Sequence, residues 1–146
     1  MFIGDIFNSG AMPTLEAGMQ FAAQRQRLLA HNIANISTPD FRPVDLSVKD
    51  FRATLADAVE RRREATGGEH GRLELRKTSE IEMAAGGTLR FTPKTPSSNV
   101  LFHDRNNRDL ERLMADQAET VAAYRAASDL LRSRFALLKN AISQRV

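Results

Sequence analysis

Residues 97–146 contain neither glycine nor proline, and this stretch constrains the fold more than any other. Because these two residues are the strongest helix breakers, the stretch predicts one long helix over residues 108–144, with Asn107 as its N-cap. Its apolar residues recur at alternating steps of four and three, the spacing of a coiled-coil seam. The predicted seam comprises Leu110, Met114, Val121, Tyr124, Leu131, Phe135, Leu138 and Ile142.

Such a helix is on the order of 55 Å long, too long to cover its whole seam on the core of a chain of 146 residues. We therefore expect it to pack against another long helix, against other subunits, or against both.

A second amphipathic helix is predicted over residues 14–36, with Thr14 as its N-cap and Pro39 forcing the chain out of the helix. Its apolar residues also recur at alternating steps of four and three, and they include Leu15, Met19, Leu29 and Ile33. The side chains off this series, Gln24, Arg25, Arg27 and Asn32, predict a polar opposite face. Residues 1–13 form a short apolar leader broken by glycine and proline, to which we assign no fixed structure.

A third, shorter helix is predicted from about Val48 to Arg63, within a segment of connector and helix at residues 37–63. Ser47 is its N-cap with Asp50 at the capping-box position, and Leu46 and Phe51 are spaced for a hydrophobic staple. The arginines at residues 61–63 suit the negative end of the helix, and we expect them to be solvated.

Residues 64–107 are rich in glycine and proline and have little periodicity, so we predict a loop-rich variable region. Two short alternating runs, residues 73–76 and 89–92, predict a small β-hairpin. The chain as a whole is expected to be a single domain over residues 1–146. Its fold class is mainly α, with the N- and C-terminal helices paired in coiled-coil fashion.

Composition and motifs argue against catalysis. The three histidines are far apart, cysteine is absent, and no phosphate-binding or nucleophile motif occurs, so we expect neither an enzyme, nor a cofactor, nor a metal site. The net charge of +3 comes from 21 basic and 18 acidic residues that are interleaved, which is typical of a solvated helical surface and not of nucleic-acid binding. The first residues lack the basic segment and long apolar run of a signal peptide, so we expect no general secretory export.

Residues 32–41 read NIANISTPDF, and this run resembles the N-terminal signature of bacterial flagellar rod and hook proteins. The residues that carry the resemblance are Asn32, Ile33, Ala34, Asn35, Thr38, Pro39 and Phe41. Asp40 stands where glycine is usual in that signature. Three segments near the carboxyl end, at residues 104–111, 124–127 and 134–142, are similar to the ending of the proximal rod members of the family.

The resemblance implies a structural subunit of the flagellar basal-body rod, which self-assembles through its terminal helices and transmits torque. It implies export through the flagellar type III apparatus without a cleaved signal, and a place in the rod that spans the periplasm. The implied partners are further copies of the chain, a FlgC-like neighbouring rod protein, a FliE-like junction protein, the MS ring and the export apparatus. Phe51 and Leu55 fit the short export-recognition pattern of such substrates, and so do Phe2 and Ile6.

The residues also allow a different class of function. A cytoplasmic helical adaptor or type III secretion chaperone could use the same apolar seams to hold client helices. The two hypotheses differ in where the protein is found, since a chaperone stays in the cytoplasm and a rod subunit is found in basal bodies.

Overall fold

The computed structural model describes residues 8–68, 70–84, 86–95 and 110–143. Three helices are present in this part of the chain: α1 at Met12–Ala34, α2 at Val48–Thr66 and α3 at Leu110–Ser143. Between α2 and α3 lie two short antiparallel strands, β1 at Ile81–Met83 and β2 at Leu89–Phe91. The prediction of a mainly α fold with a small central hairpin is confirmed.

The first and last helices pack against each other and run antiparallel. Met19 lies 3.4 Å from the hydroxyl of Ser128, and further along α1 the side chain of Arg25 contacts Thr120. Because α3 has 34 residues and α1 has 23, the carboxyl end of α3 continues beyond the beginning of α1. The predicted pairing of the two terminal helices is therefore confirmed.

Helix α1 begins and ends two residues before the predicted positions. It begins at Met12, with Ala11 as an N-cap that makes no side-chain hydrogen bond, and not after Thr14. Proline fits the first turn of a helix because the amide hydrogen it lacks has no partner there, so Pro13 is accommodated as the second residue of this helix. At the other end, Asn35 caps the helix, with its side-chain amide 2.9 Å from the carbonyl oxygen of His31.

Helix α2 begins where predicted. The Ser47 hydroxyl accepts a hydrogen bond from the backbone N–H of Asp50 at 3.2 Å, which confirms the N-cap. The backbone N–H of Ser47 donates to the carboxylate of Glu80 at 2.9 Å, so Glu80 provides the acceptor that a capping box would take from Asp50. The helix runs three residues beyond Arg63, to Thr66, and Gly67 caps it in the left-handed conformation with φ of 74°.

The core lies between α1, α2 and the hairpin. The rings of Phe21 and Phe51 stack with centroids 4.0 Å apart and planes only 6° from parallel. The other buried apolar residues of this cluster are Ala17, Leu46, Ala58, Leu73, Leu75, Ile81 and Leu89. This packing joins α2 and the hairpin to one side of α1, while α3 packs on another side.

The hairpin contains one of the two predicted strands. Leu89–Phe91 is a strand, but its partner is Ile81–Met83, so the predicted pairing with residues 73–76 was wrong. The chain reverses at Gly86 and Gly87, both with positive φ, which favours glycine. Residues 73–76 belong to no helix or strand, and they bury Leu73 and Leu75 in the core.

The face that α3 turns to α1 is rotated relative to its predicted apolar series. Leu131 and Thr120 are buried there. Val121, Tyr124 and Leu138 of the predicted series are half-buried. Four other members of the series are more than 40% exposed, namely Leu110, Met114, Phe135 and Ile142. The fold of one chain thus covers only part of the apolar surface of α3.

We expect two adjacent leucines of α3 to differ sharply in their contribution to stability. Leu131 is 8% exposed and Leu130 is 55% exposed. Leu131→Ala is expected to lower the free energy of unfolding by about 2–4 kcal/mol because it opens a cavity. Leu130→Ala is expected to change it by less than about 0.5 kcal/mol. Urea unfolding of dilute protein measures both, and equal losses would contradict the orientation of α3.

Candidate functional site

A buried arginine joins three parts of the chain. Arg25 of α1 is 6% exposed, and its guanidinium contacts both carboxylate oxygens of Asp45, in the connector between α1 and α2, at 3.1 to 3.3 Å. It also donates to the hydroxyl of Thr120 at 3.1 Å and lies 3.4 Å from the carboxylate of Asp116, both on α3. We call these four residues the arginine cluster.

The charges of the arginine cluster compensate for its burial. Burial opposes the positive charge of Arg25. The hydrogen bond and charge of Asp45, followed by the charge of Asp116, outweigh this effect and raise the pKa of Arg25 above its ordinary value. The guanidinium therefore stays protonated, and its planar fork can hold both carboxylates at once.

The first asparagine of the flagellar-type signature fixes the connector to α1. The side chain of Asn32 is 2% exposed, and its amide nitrogen donates to the carbonyl of Val44 at 2.8 Å. Its amide oxygen accepts from the backbone N–H of Val44 at 3.2 Å. One side chain thus satisfies both backbone groups of Val44, which lies outside the helices and strands.

The chain turns sharply between Asn32 and Val44. The backbone N–H of Thr38 donates to Asn35 at 2.9 Å, and that of Phe41 donates to Thr38 at 3.3 Å. Asp40, in the third position of this second turn, has a φ of 59°. Aspartate tolerates the left-handed conformation better than most residues other than glycine, which explains how it takes the place where glycine is usual in the signature.

The rest of the signature lies mostly at the surface. Ala34, Thr38 and Pro39 are exposed, and Ile33 is half-buried. Phe41 is half-buried, with its ring 5.4 Å from that of His31. The signature therefore places its first asparagine inside the fold and leaves its proline turn accessible.

The arginine cluster was not predicted from the sequence, and two arginines lie in places other than those expected. Arg25 and Asn32 were assigned to a polar outer face, but both are buried. Arg62, expected to be solvated, is also buried and donates to the backbone carbonyls of Asn8, Gly10 and His70. A signal for Arg25 was its position four residues before Leu29, an apolar member of the predicted series of this helix.

Within the described ranges, the protein shows no arrangement suited to catalysis by a metal. No group of three or more histidine, aspartate or glutamate side chains in those ranges is placed to hold a metal ion. None of the described helices is long and apolar enough to cross a membrane. The polar groups of the arginine cluster bind one another, so their chemistry is that of helix positioning.

The fold is that of a helical protein, and the turn after α1 carries the residues that resemble the flagellar rod signature. No family model matches the chain. Compared with individual proteins, it is a distant, nearly full-length relative of the flagellar basal body rod protein FlgB. These relatives are structural proteins and not enzymes.

Three relatives illustrate the extent of the match. FlgB of Salmonella typhimurium is 28% identical over 134 residues, covering 87% of this chain and 88% of the relative. FlgB of Bacillus subtilis is 24% identical over 136 residues, covering 92% and 95%. FlgB of Yersinia enterocolitica is 29% identical over 122 residues, covering 79% and 80%.

Removing the charge of Arg25 is expected to be strongly destabilising. Arg25→Met leaves Asp45 and Asp116 without their shared cation, and we expect a loss of about 3–5 kcal/mol in the free energy of unfolding. Arg25→Lys keeps the charge without the planar fork and should lose less. Arg27→Met, at an exposed position of the same helix, is the control and should change stability by less than about 0.5 kcal/mol. Similar losses for Arg25→Met and Arg27→Met in urea unfolding would refute the role of the cluster.

The two asparagines of the signature are expected to differ in their effect on stability. Asn32→Ala leaves the N–H and carbonyl of Val44 unpaired in a partly buried place, and should cost about 2–3 kcal/mol. Asn35→Ala removes an exposed bond to His31 and should cost less than about 1 kcal/mol. Thermal or urea unfolding measures both. A larger loss for Asn35→Ala would be incompatible with the proposed role of Asn32.

Proposed function

We propose that this protein is a structural subunit of the flagellar basal-body rod and assembles with copies of itself through α1 and α3. The observation that carries the proposal is the nearly full-length similarity to FlgB proteins. The long helix pair supports it, because α3 leaves large apolar side chains exposed that a neighbouring subunit can cover.

The mechanism in this proposal is mechanical. A rod that transmits torque needs subunits that do not deform when their neighbours turn. The arginine cluster favours this role, since it ties α1 to α3 and to the connector through charged hydrogen bonds. Packing between subunits then carries the load without a catalytic step.

We further propose export through the flagellar type III apparatus, without a cleaved signal, into the rod that spans the periplasm. Of the two candidate recognition segments, Phe2 and Ile6 lie outside the described residues. Phe51 is 4% exposed and stacked on Phe21, and Leu55 packs against the same core. If Phe51 and Leu55 are the signal, the apparatus must bind them before α2 packs onto α1.

The proposed partners follow from the similarity to rod proteins. They are further copies of the chain, a FlgC-like rod protein, a FliE-like junction protein and the MS ring. A cytoplasmic adaptor or secretion chaperone is the competing function, and the location of the protein decides between the two.

Fractionation of cells tests the proposal. An epitope tag inserted between Gly86 and Gly87 avoids both terminal helices, and this turn is exposed with open space beside each glycine. We expect the tagged protein to copurify with the MS ring and rod, and to accumulate in the cytoplasm when the export apparatus is absent. Restored motility in cells with the tagged chain as their only copy controls for the tag.

Two results would count against parts of the proposal. A protein that stays in the cytoplasm of export-competent cells, with basal bodies free of it, favours the chaperone function. Normal export of a Phe51→Ala chain would remove Phe51 from the export signal while leaving the rod function in place. The matched control is Ala53→Ser, at an exposed position of the same helix, which should be exported like the unchanged protein.

A further inference from the structure

A glycine in the middle of α1 has no explanation within a single chain. Gly18 lies inside the helix, where glycine is less favourable than alanine because of its backbone entropy. Its φ is not in the left-handed region, and a Cβ atom built on it would meet no atom within 4 Å. Neither backbone conformation nor crowding in the subunit therefore requires glycine at this position.

Gly18 opens into an apolar groove between α2 and α3. The groove has a volume of about 240 Å³ and a floor formed by Gly18, Phe21 and Ala22 of α1. Arg52 of α2 and Glu119 of α3, which form an exposed ion pair, also line it. Ala123 and Ala127 line the side formed by α3. Small residues on the floor and on one wall allow another helix to approach the backbone closely, as at tightly packed helix pairs.

The α3 side of this groove continues as an exposed apolar stripe. At about 100° per residue, Ala123, Leu130 and Leu137 fall within about 40° of one another around the helix. Leu130 is 55% exposed and Leu137 is 59% exposed. Groove and stripe together form one apolar surface, which we call the groove face.

A second exposed apolar surface lies on the other side of α3. Leu110 and Met114 are 42% and 58% exposed, one turn apart near the beginning of the helix. Met114 and Leu130 are about 160° apart around the helix axis. We call Leu110 and Met114 the leading face.

Two apolar faces on opposite sides of one helix are not covered together by a symmetric dimer, in which each copy contributes the same patch. They are covered when each copy places its leading face on the groove face of the next. This head-to-tail contact is heterologous and continues from subunit to subunit.

The distribution of charge along α3 favours the same head-to-tail orientation of neighbouring copies. Its residues 110–121 include three acidic and one basic side chain, whereas residues 122–143 include four basic and one acidic. A leading face near the acidic end of one copy therefore meets a groove face that extends towards the basic end of the next.

We propose that the groove beside Gly18 receives Met114 and Leu110 of a second copy of this chain, so that subunits join head to tail. The inference rests on the proposed rod function and adds the two surfaces that meet. Methionine suits the contact because its flexible side chain fills irregular apolar gaps.

Disulfide trapping tests the contact directly, because the chain contains no cysteine. We expect a mixture of Met114→Cys and Ala123→Cys full-length chains to form a mixed disulfide dimer on mild oxidation. One chain carrying both changes should form a ladder of larger species. The two positions are about 13 Å apart along one helix and on different sides of it, so they cannot bridge within a chain.

Filling the groove is the second test. Gly18→Leu places a large side chain in the open space of the groove and should weaken self-association roughly tenfold or more by sedimentation. Its midpoint of urea unfolding should not fall, since leucine favours the helix more than glycine does. Ala122→Glu, at an exposed position of α3 between the two faces, is the matched control and should associate like the unchanged protein.

The possible outcomes separate this inference from the rod function. Disulfides only between identical positions, or unchanged association of Gly18→Leu, would overturn the inference even if the protein is found in basal bodies. A purified chain that remains monomeric would do the same. Mixed disulfides in a protein that is absent from basal bodies would support the contact and overturn the rod function.

Discussion

The buried guanidinium of Arg25 is the interaction on which the arrangement of the helices depends. Apolar seams with a seven-residue repeat fit together almost as well when one helix slips by one repeat. A buried charge opposes this slippage, because a shifted Arg25 would lose Asp116 and Thr120 and keep only Asp45 as its partner. The cluster therefore selects one register for α1 and α3.

The connector between α1 and α2 links the helix pair to the hairpin and to α2. Val44 pairs with the side chain of Asn32, and Asp45 forms two backbone hydrogen bonds with Lys94, just after β2, at 2.9 and 3.1 Å. Ser47, two residues on, caps α2. Three residues within a four-residue segment thus relate α1, the hairpin and α2, which explains why the turn at Asp40 must deliver the chain at a fixed place.

The sequence predicted what depends on local pattern. The absence of glycine and proline marked α3, the Ser47 cap marked the beginning of α2, and the signature at residues 32–41 indicated the family that the FlgB similarity supports. Features that depend on distant residues were not predictable in this way. Arg25 and Asn32 look like surface residues until Asp45, Val44 and α3 are placed beside them.

The same limit explains the errors in the middle of the chain. Residues 73–76 alternate like a strand, and the alternation correctly separates buried Leu73 and Leu75 from exposed neighbours. Alternation does not indicate which segment pairs with a strand. The turn at Gly86 and Gly87 places β1, which is nearer in sequence, beside β2. Four members of the predicted α3 series stay exposed because the apolar residues of α3 cover more than one face, and the buried face includes Thr120 beside Arg25.

Arg62 has a mechanical consequence for how the chain responds to tension. Its guanidinium holds the carbonyls of Asn8 and Gly10, just before α1, together with that of His70, beyond α2. A pull on the chain ahead of Asn8 thus reaches α2 through Arg62 before it can unwind the first turn of α1. Force entering at this end is divided between two helices, and the stacked rings of Phe21 and Phe51 couple them one layer deeper.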